Sequence, residues 1–314
     1  MTLRPPGAHA ESSAIAPAEA VAPSDAQLDA AARAIATARA HLRLKDVCVA
    51  FGGIVALDHV SFEVRHGEIL GLIGPNGAGK TTAFNCITRL VRPDTGAILL
   101  DGVDLLRAPR DGALGMVARF APRRWRERPL PAHRISGAGI ARTFQTPALF
   151  PSLSVLDNLL VAQEPRLRAG LLACALGLPR AHREERAARE RAGQLLRLIE
   201  AGDLATARAR DLPLAAQKRV ELARALCAEP TLLLLDEPAA GLNHEQVPAL
   251  GALIRRIHEE LGVAVLLVEH HMGLVMSTCD RVVVLDFGRV IADGAPEDIA
   301  RDPAVLEAYL GEPA

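Results

Sequence analysis

Two apolar runs stand out along the chain, TLLLLDEP (Thr231–Pro238) and VAVLLVEH (Val263–His270), each bounded by Pro, Gly or charge. Runs this short and continuous predict strands buried on both faces, as in a parallel sheet. A third run, EILGLIG, passes into a Gly-rich loop and then a helix starting near Lys80. Upstream, Leu42–Phe51 and Ser61–Val64 have strand character, with Gly52-Gly53 and Gly67 as punctuation. Between Thr146 and Ala209 the pattern turns helical, in long Ala/Leu/Arg/Glu stretches. The helix QKRVELARALCAE then sets Val220, Ala223 and Cys227 on one face, and Pro230 stops its continuation. The pattern therefore predicts an α/β sheet domain interrupted by a helical insert. Its expected parts are a tail over 1–41, an α/β core over 42–145 and 228–314, and a helical subdomain over 146–227.

Composition changes this picture little. Half of the 314 residues are hydrophobic, ample for a large core, and the net charge of −1 advertises no nucleic-acid partner. The five cysteines (Cys48, Cys86, Cys174, Cys227, Cys279) form no CxxC pair, which suits reduced thiols. The apolar run Gly170–Leu178 falls far short of the ~20 residues a spanning helix needs. Residues 1–40 are rich in Ala and Pro and lack a basic start, so they predict a mobile tail with a short helix from Asp25, and no signal peptide. The expectation is a soluble protein, with no room for an added regulatory domain after VLEAYLG.

The loop between the third run and its helix carries the first chemistry. Gly74-Pro75-Asn76-Gly77-Ala78-Gly79-Lys80-Thr81 satisfies G-x-x-x-x-G-K-[ST], with a strand before it and a helix after it. Glycines let successive N–H groups point inward at phosphates, and the helix N-terminus aims its positive end at the same anions. Lys80 adds a mobile charge, Thr81 a hydroxyl for Mg²⁺, and Thr82 continues the binding segment. This is the pattern of a nucleoside-triphosphate site.

Asp236 and Glu237 end the leucine strand. Asp236 is expected on the Mg²⁺ side of the site, and Glu237 at the attacking water. Gln145, in ARTFQTP, lies where the sheet domain meets the helical insert and is a candidate for both Mg²⁺ and the water. His270 follows the VAVLLVE strand and can bridge to a γ-phosphate. His271 beside it suggests a metal pair, but neighbours on a strand point to opposite faces. Phe51 has two readings, a stack on adenine or a core residue at a strand end.

In order, Phe51, GPNGAGKTT, Gln145, LLLLDEP, AAGLN and His270 resemble the ATP-binding cassette family over nearly everything from Leu42 onward. FGGIVALD, ARTFQ, NLLVAQ, VEHHM and VLEAYLG are closer still to the ATP-binding subunits of branched-chain amino acid importers, with relatives importing urea or short amides similar. The resemblance implies a P-loop NTPase fold, a RecA-like parallel core plus an antiparallel β part and a helical subdomain. It implies ATP hydrolysis with Mg²⁺, catalytic roles for Glu237, His270 and Gln145, and ATP contacts from Phe51 and residues 74–82. It places Asn243 in a loop touching an opposite protomer. It also implies permease subunits in the membrane, a periplasmic binding protein, and attachment to the cytoplasmic face. A soluble cassette ATPase and a non-catalytic regulatory subunit are the alternatives.

One departure matters. Where the family has an LSGGQ-type signature, this chain reads LPLAA: Pro213, Leu214 and Ala215 replace the serine and two glycines, and Ala216 replaces the glutamine. A lost hydrogen bond to a charged group costs about 1.5–3 kcal/mol, so weakened contact with a partner's ATP is expected. That expectation favours a heterodimer, in which this chain's own Walker residues meet an intact signature. Finally, Arg107–Arg134 holds eight arginines against two acids, with the only tryptophan, Trp125. A solvated surface insertion is preferred there over attraction to anionic headgroups.

Overall fold

A computed structural model describes residues 40–106, 135–163 and 179–310. Strands β1 (Ala40–Phe51), β2 (Ile54–Arg65), β4 (Thr95–Leu100) and β5 (Val103–Asp104) form an antiparallel sheet in the order β2-β1-β4-β5. Strands β3 (Ile69–Ile73), β6 (Ile140–Arg142), β7 (Leu232–Asp236), β8 (Ala264–Val268), β9 (Arg281–Asp286) and β10 (Arg289–Gly294) form a second sheet, ordered β10-β9-β3-β8-β7-β6. This sheet is parallel except for the β9–β10 edge hairpin.

The leucine run explains itself in this sheet. Successive side chains leave opposite faces of a strand. Leu233 and Leu235 pack toward helices α2 (Val155–Gln163), α3 (Pro179–Leu198), α4 (Leu214–Leu226), α5 (Gln246–Leu261) and α6 (Met272–Thr278). Leu232 and Leu234 pack toward the antiparallel sheet and α1 (Lys80–Ile87). β3, β7 and β8 are buried along their whole length, so no polar alternation was available to them. Two short helices follow the sheet, α7 (Pro296–Ile299) and α8 (Pro303–Leu310).

Several boundaries differ from expectation. β1 begins at Ala40, inside the stretch assigned to the tail. β2 starts at Ile54 and not Ser61: Ile54 and Val55 are exposed, which hid the first half of the strand, yet Ile54 pairs with Phe51 across the Gly52-Gly53 turn. α4 begins at Leu214, directly after Pro213, and ends at Leu226, before Pro230 can act. Cys86, Cys227 and Cys279 are buried free thiols, each pushed up to about 12 by burial. No helix among the described residues is long and apolar enough to cross a membrane. The tail up to residue 39, the apolar run 170–178, Cys174, and the basic stretch 107–134 with Trp125 lie outside the described residues.

One polar cluster ties the edge of the antiparallel sheet. His41 Nδ1 and His66 Nε2 converge on Asp101 Oδ1 at 3.0 and 2.9 Å. His41 is buried, and its Nε2 has no partner among the described residues. Its ring proton therefore belongs on Nδ1, donated to Asp101. A metal ion at Nδ1 would move that proton to a nitrogen with nothing to accept it. The cluster is a hydrogen-bonded clasp.

Candidate nucleotide site

The phosphate loop sits at the C-terminal end of β3, where α/β sheets bind ligands. Two of its glycines are forced by close backbone approach. A Cβ on Gly74 (φ +146°) would lie 2.0 Å from Leu285 O, and one on Gly79 (φ +101°) 2.5 Å from Ala56 O. The second contact also brings the β1–β2 hairpin, which carries Phe51, against the loop. Phe51 is half exposed, so the core reading of that residue is overturned.

Lys80 is buried and donates from Nζ to Gly74 O at 2.7 Å and Pro75 O at 2.8 Å. Burial pushes its amine below the usual lysine value, and the Glu237 carboxylate partly restores it. Asn76, Gly77 and Thr81 are exposed, Ala78 is buried, and Thr82 is half-buried.

Asp236 closes β7 and accepts from Arg142 Nη2 at 2.7 Å. Glu237 follows with φ +46°, a left-handed conformation of the kind that clusters at functional sites. Its Oε2 accepts from Gln145 Nε2 at 2.7 Å and lies 3.8 Å from His270 Nδ1. The folded chain thus gathers Gln145, Glu237 and His270 from three segments. Thr81, Asp236 and Gln145 offer a hydroxyl, a carboxylate and an amide oxygen. A few hard oxygen donors, with room for water and phosphate oxygens, suit Mg²⁺.

His271 takes no part in this group. Both histidines lie beyond the end of β8, and His271 Nδ1 caps α6 by accepting from Leu274 N at 3.3 Å. Its separation from His270 therefore comes from capping, not from strand alternation.

Besides Arg142, four residues escaped the motif reading. Glu269 is fully buried and accepts from Ala239 N at 2.6 Å, His270 N at 3.1 Å and His271 N at 3.2 Å. On α4, Lys218 Nζ donates to Gln145 O at 3.3 Å, and Glu221 Oε1 accepts from Phe144 N at 3.3 Å and Ala148 N at 3.4 Å. The helix that follows the altered signature thus grips the Gln145 loop from both sides. On α8, burial pushes the Tyr309 phenol up, partly offset by a hydrogen bond from the Gly74 backbone. Lys218 was visible in the sequence as a charge on α4, but the loop it shares with Glu221 was not.

Leu214, at the start of α4, is partly exposed. Its side chain turns toward Gly241, where a Cβ would lie 2.9 Å from Leu214 Cδ2. At the N-terminus of α4 the Ala216 and Gln217 N–H groups both bond Pro213 O at 3.0 Å, which leaves those of Leu214 and Ala215 without a bond within the helix.

A family model described as ABC transporter matches residues 57–240, and one described as branched-chain amino acid ATP-binding cassette transporter matches residues 289–314. The high-affinity branched-chain amino acid transport ATP-binding protein BraF of Pseudomonas aeruginosa is 40% identical over 271 residues, covering 86% of this chain and 98% of that protein. The corresponding protein LivG of Escherichia coli is 39% identical over 271 residues, with the same coverage of 86% and 98%. A crystal structure of an ATP-binding cassette of an ABC transporter in its ADP conformation superposes with a TM-score of 0.70 at 28% identity, covering 87% of this chain and 100% of that one.

Proposed function

Because the chain belongs to the ABC transporter family, we propose that it energises uptake of branched-chain amino acids through separate permease subunits. It is an ABC-type ATPase. The observation that carries the reading is the meeting of Gln145, Glu237 and His270 at the strand ends beside the Lys80 loop. The substrate class rests on the likeness to BraF and LivG, and on the match of residues 289–314.

The residues divide the work as follows. Backbone N–H groups of the 74–82 loop other than Pro75, with the N-terminus of α1, hold the phosphates, and Lys80 carries the point charge. Phe51, exposed on the adjoining hairpin, stacks on the adenine. Thr81, Asp236 and Gln145 would hold Mg²⁺, which would supply charge neutralisation at the phosphate oxygens. Glu237 orients the attacking water and draws off its proton, and Gln145 fixes the carboxylate that does so. His270, within reach of Glu237, bridges toward the γ-phosphate.

The chain pairs with a second ATP-binding subunit, and a different one is favoured. Its Lys80, Asp236, Glu237 and His270 then face an intact signature, and LPLAA falls at the partner's ATP. A periplasmic binding protein delivers the substrate, and the pair sits on the cytoplasmic face of the membrane. The test is uptake of labelled leucine by cells carrying either the normal chain or Glu237→Gln, with urea and a short amide in parallel. Loss of leucine uptake alone supports the reading. Loss of another substrate with leucine unchanged removes the amino-acid assignment and keeps the ATPase.

A further inference from the structure

Arg142 lies inside ARTFQ without a role assigned above, yet both terminal nitrogens of its guanidinium are bonded, while Nε is buried without a partner among the described residues. Its backbone lies on β6 opposite Leu234 of β7, two residues before Asp236. Nη2 donates to Asp236 Oδ2 at 2.7 Å, and Nη1 donates to Asn85 Oδ1 at 2.8 Å and Thr88 Oγ1 at 3.1 Å, both on or just past α1. The Thr88 hydroxyl donates its own proton to Phe84 O, which leaves its oxygen free to accept. The guanidinium carbon lies 5.6 Å from the Phe84 ring centroid and 5.3 Å from that of Phe144. Such a planar fork, bonded at both ends and stacked, has little freedom to leave.

The pair is nearly closed from solvent, with the Arg142 and Asp236 side chains 10% and 12% exposed. A carboxylate in that setting is costly without a positive partner. A divalent cation that arrives with nucleotide can fill the role only part of the time. Asp236 Oδ1 takes no hydrogen bond among the described residues, while Oδ2 is committed to Arg142.

We propose that Arg142 is a positioning residue, the resident counter-charge of Asp236. It holds one carboxylate oxygen in place between turnovers and leaves the other for the metal-bound state. The inference rests on the assignment of Asp236 to the metal side of the site. Its second consequence is mechanical. Arg142 and Gln145 stand three residues apart, so one short segment secures both carboxylates of the Asp236-Glu237 pair.

The test separates charge from packing. Thermal melting is recorded without nucleotide, with and without Mg²⁺, for the normal chain, Arg142→Gln and Arg142→Lys. The Mg²⁺ dependence of binding a fluorescent ATP analogue is titrated for all three. The normal chain and Arg142→Lys, which keep a cation at Asp236, are expected to shift in Tm by less than about 1 °C on adding Mg²⁺ alone. Arg142→Gln is expected to gain about 2–4 °C, and its Mg²⁺ midpoint to fall about tenfold. An Arg142→Gln variant indifferent to Mg²⁺ overturns the inference, as does an Arg142→Lys that responds like it. If Arg142→Gln fails to fold, Arg142→Lys carries the decision: a gain in Tm on Mg²⁺ alone is then the overturning result. A normal chain that binds no analogue with Mg²⁺ overturns the inference together with the functional reading beneath it.

Discussion

Gln145 Nε2 donates to Glu237 Oε2 at 2.7 Å, joining the loop after β6 to the end of β7. That loop is also held by α4, through Lys218 and Glu221. The glutamine is therefore the point where α4, through its loop, meets the Glu237 carboxylate. A shift of α4 would be felt at Glu237 through a chain of named hydrogen bonds.

Gln145→Ala breaks the last link of that chain and leaves the phosphate loop untouched. Turnover is expected to fall about 10- to 100-fold, with the KM for ATP changed by less than about threefold. Steady-state ATPase kinetics separate the two. A raised KM with unchanged kcat would place Gln145 in binding and not in chemistry.

Glu221 gives a pH-dependent prediction. Burial pushes its carboxyl above the usual glutamate value, with the N–H groups of Phe144 and Ala148 opposing that push. A folded-state value above the unfolded one means the group's stabilising contribution is complete at low pH and is lost as pH rises through the folded value. Glu221→Gln removes this titration. The Tm of the variant minus that of the normal chain should therefore increase from pH 4 to pH 7. A difference that is flat or falls over that range would contradict the burial argument.

The fold was largely legible because its central strands carry no polar positions. TLLLLD and VAVLLV could be read only as doubly buried strands, and β7 and β8 are that. The phosphate loop was legible because its glycines answer to backbone contacts, as at Gly74 and Gly79. The illegible parts depend on pairing across long separations. β5 and β6 are two and three residues long, too short for any period to show. Arg142 was passed over inside ARTFQTP because its meaning lies in Asp236, Asn85 and Thr88, none of which is near it in sequence. His271 was read as a strand neighbour because nothing local announces a cap supplied by an imidazole.

Glu269 should be unforgiving. Its buried carboxylate accepts N–H groups from Ala239, His270 and His271. Glu269→Gln turns one acceptor oxygen into an NH₂ donor facing an N–H. The loss is expected to be about 1.5–3 kcal/mol, read by urea denaturation. A variant within about 0.5 kcal/mol of the normal chain would show that the carboxylate is not bearing those bonds.

Gly241 has φ +77°, and the only atom near an added Cβ is Leu214 Cδ2 at 2.9 Å, the end of an exposed, flexible side chain. Gly241→Ala should therefore cost about 1–2 kcal/mol through the backbone conformation, and the same in the Leu214→Ala background. A double-mutant cycle on thermal or urea unfolding measures it, and a cost that vanishes with Leu214→Ala would show that the side-chain contact carries it.

The most direct test of the account is ATP turnover by the importer assembled from this chain, permease subunits and the second ATP-binding subunit proposed above. It is measured with the normal chain and with Glu237→Gln in this chain alone. The account predicts a fall in turnover of about 10²- to 10³-fold, with nucleotide still bound at the site of Lys80. Undiminished turnover would mean that the carboxylate held by Gln145 does no chemistry, and that hydrolysis belongs to the partner's site.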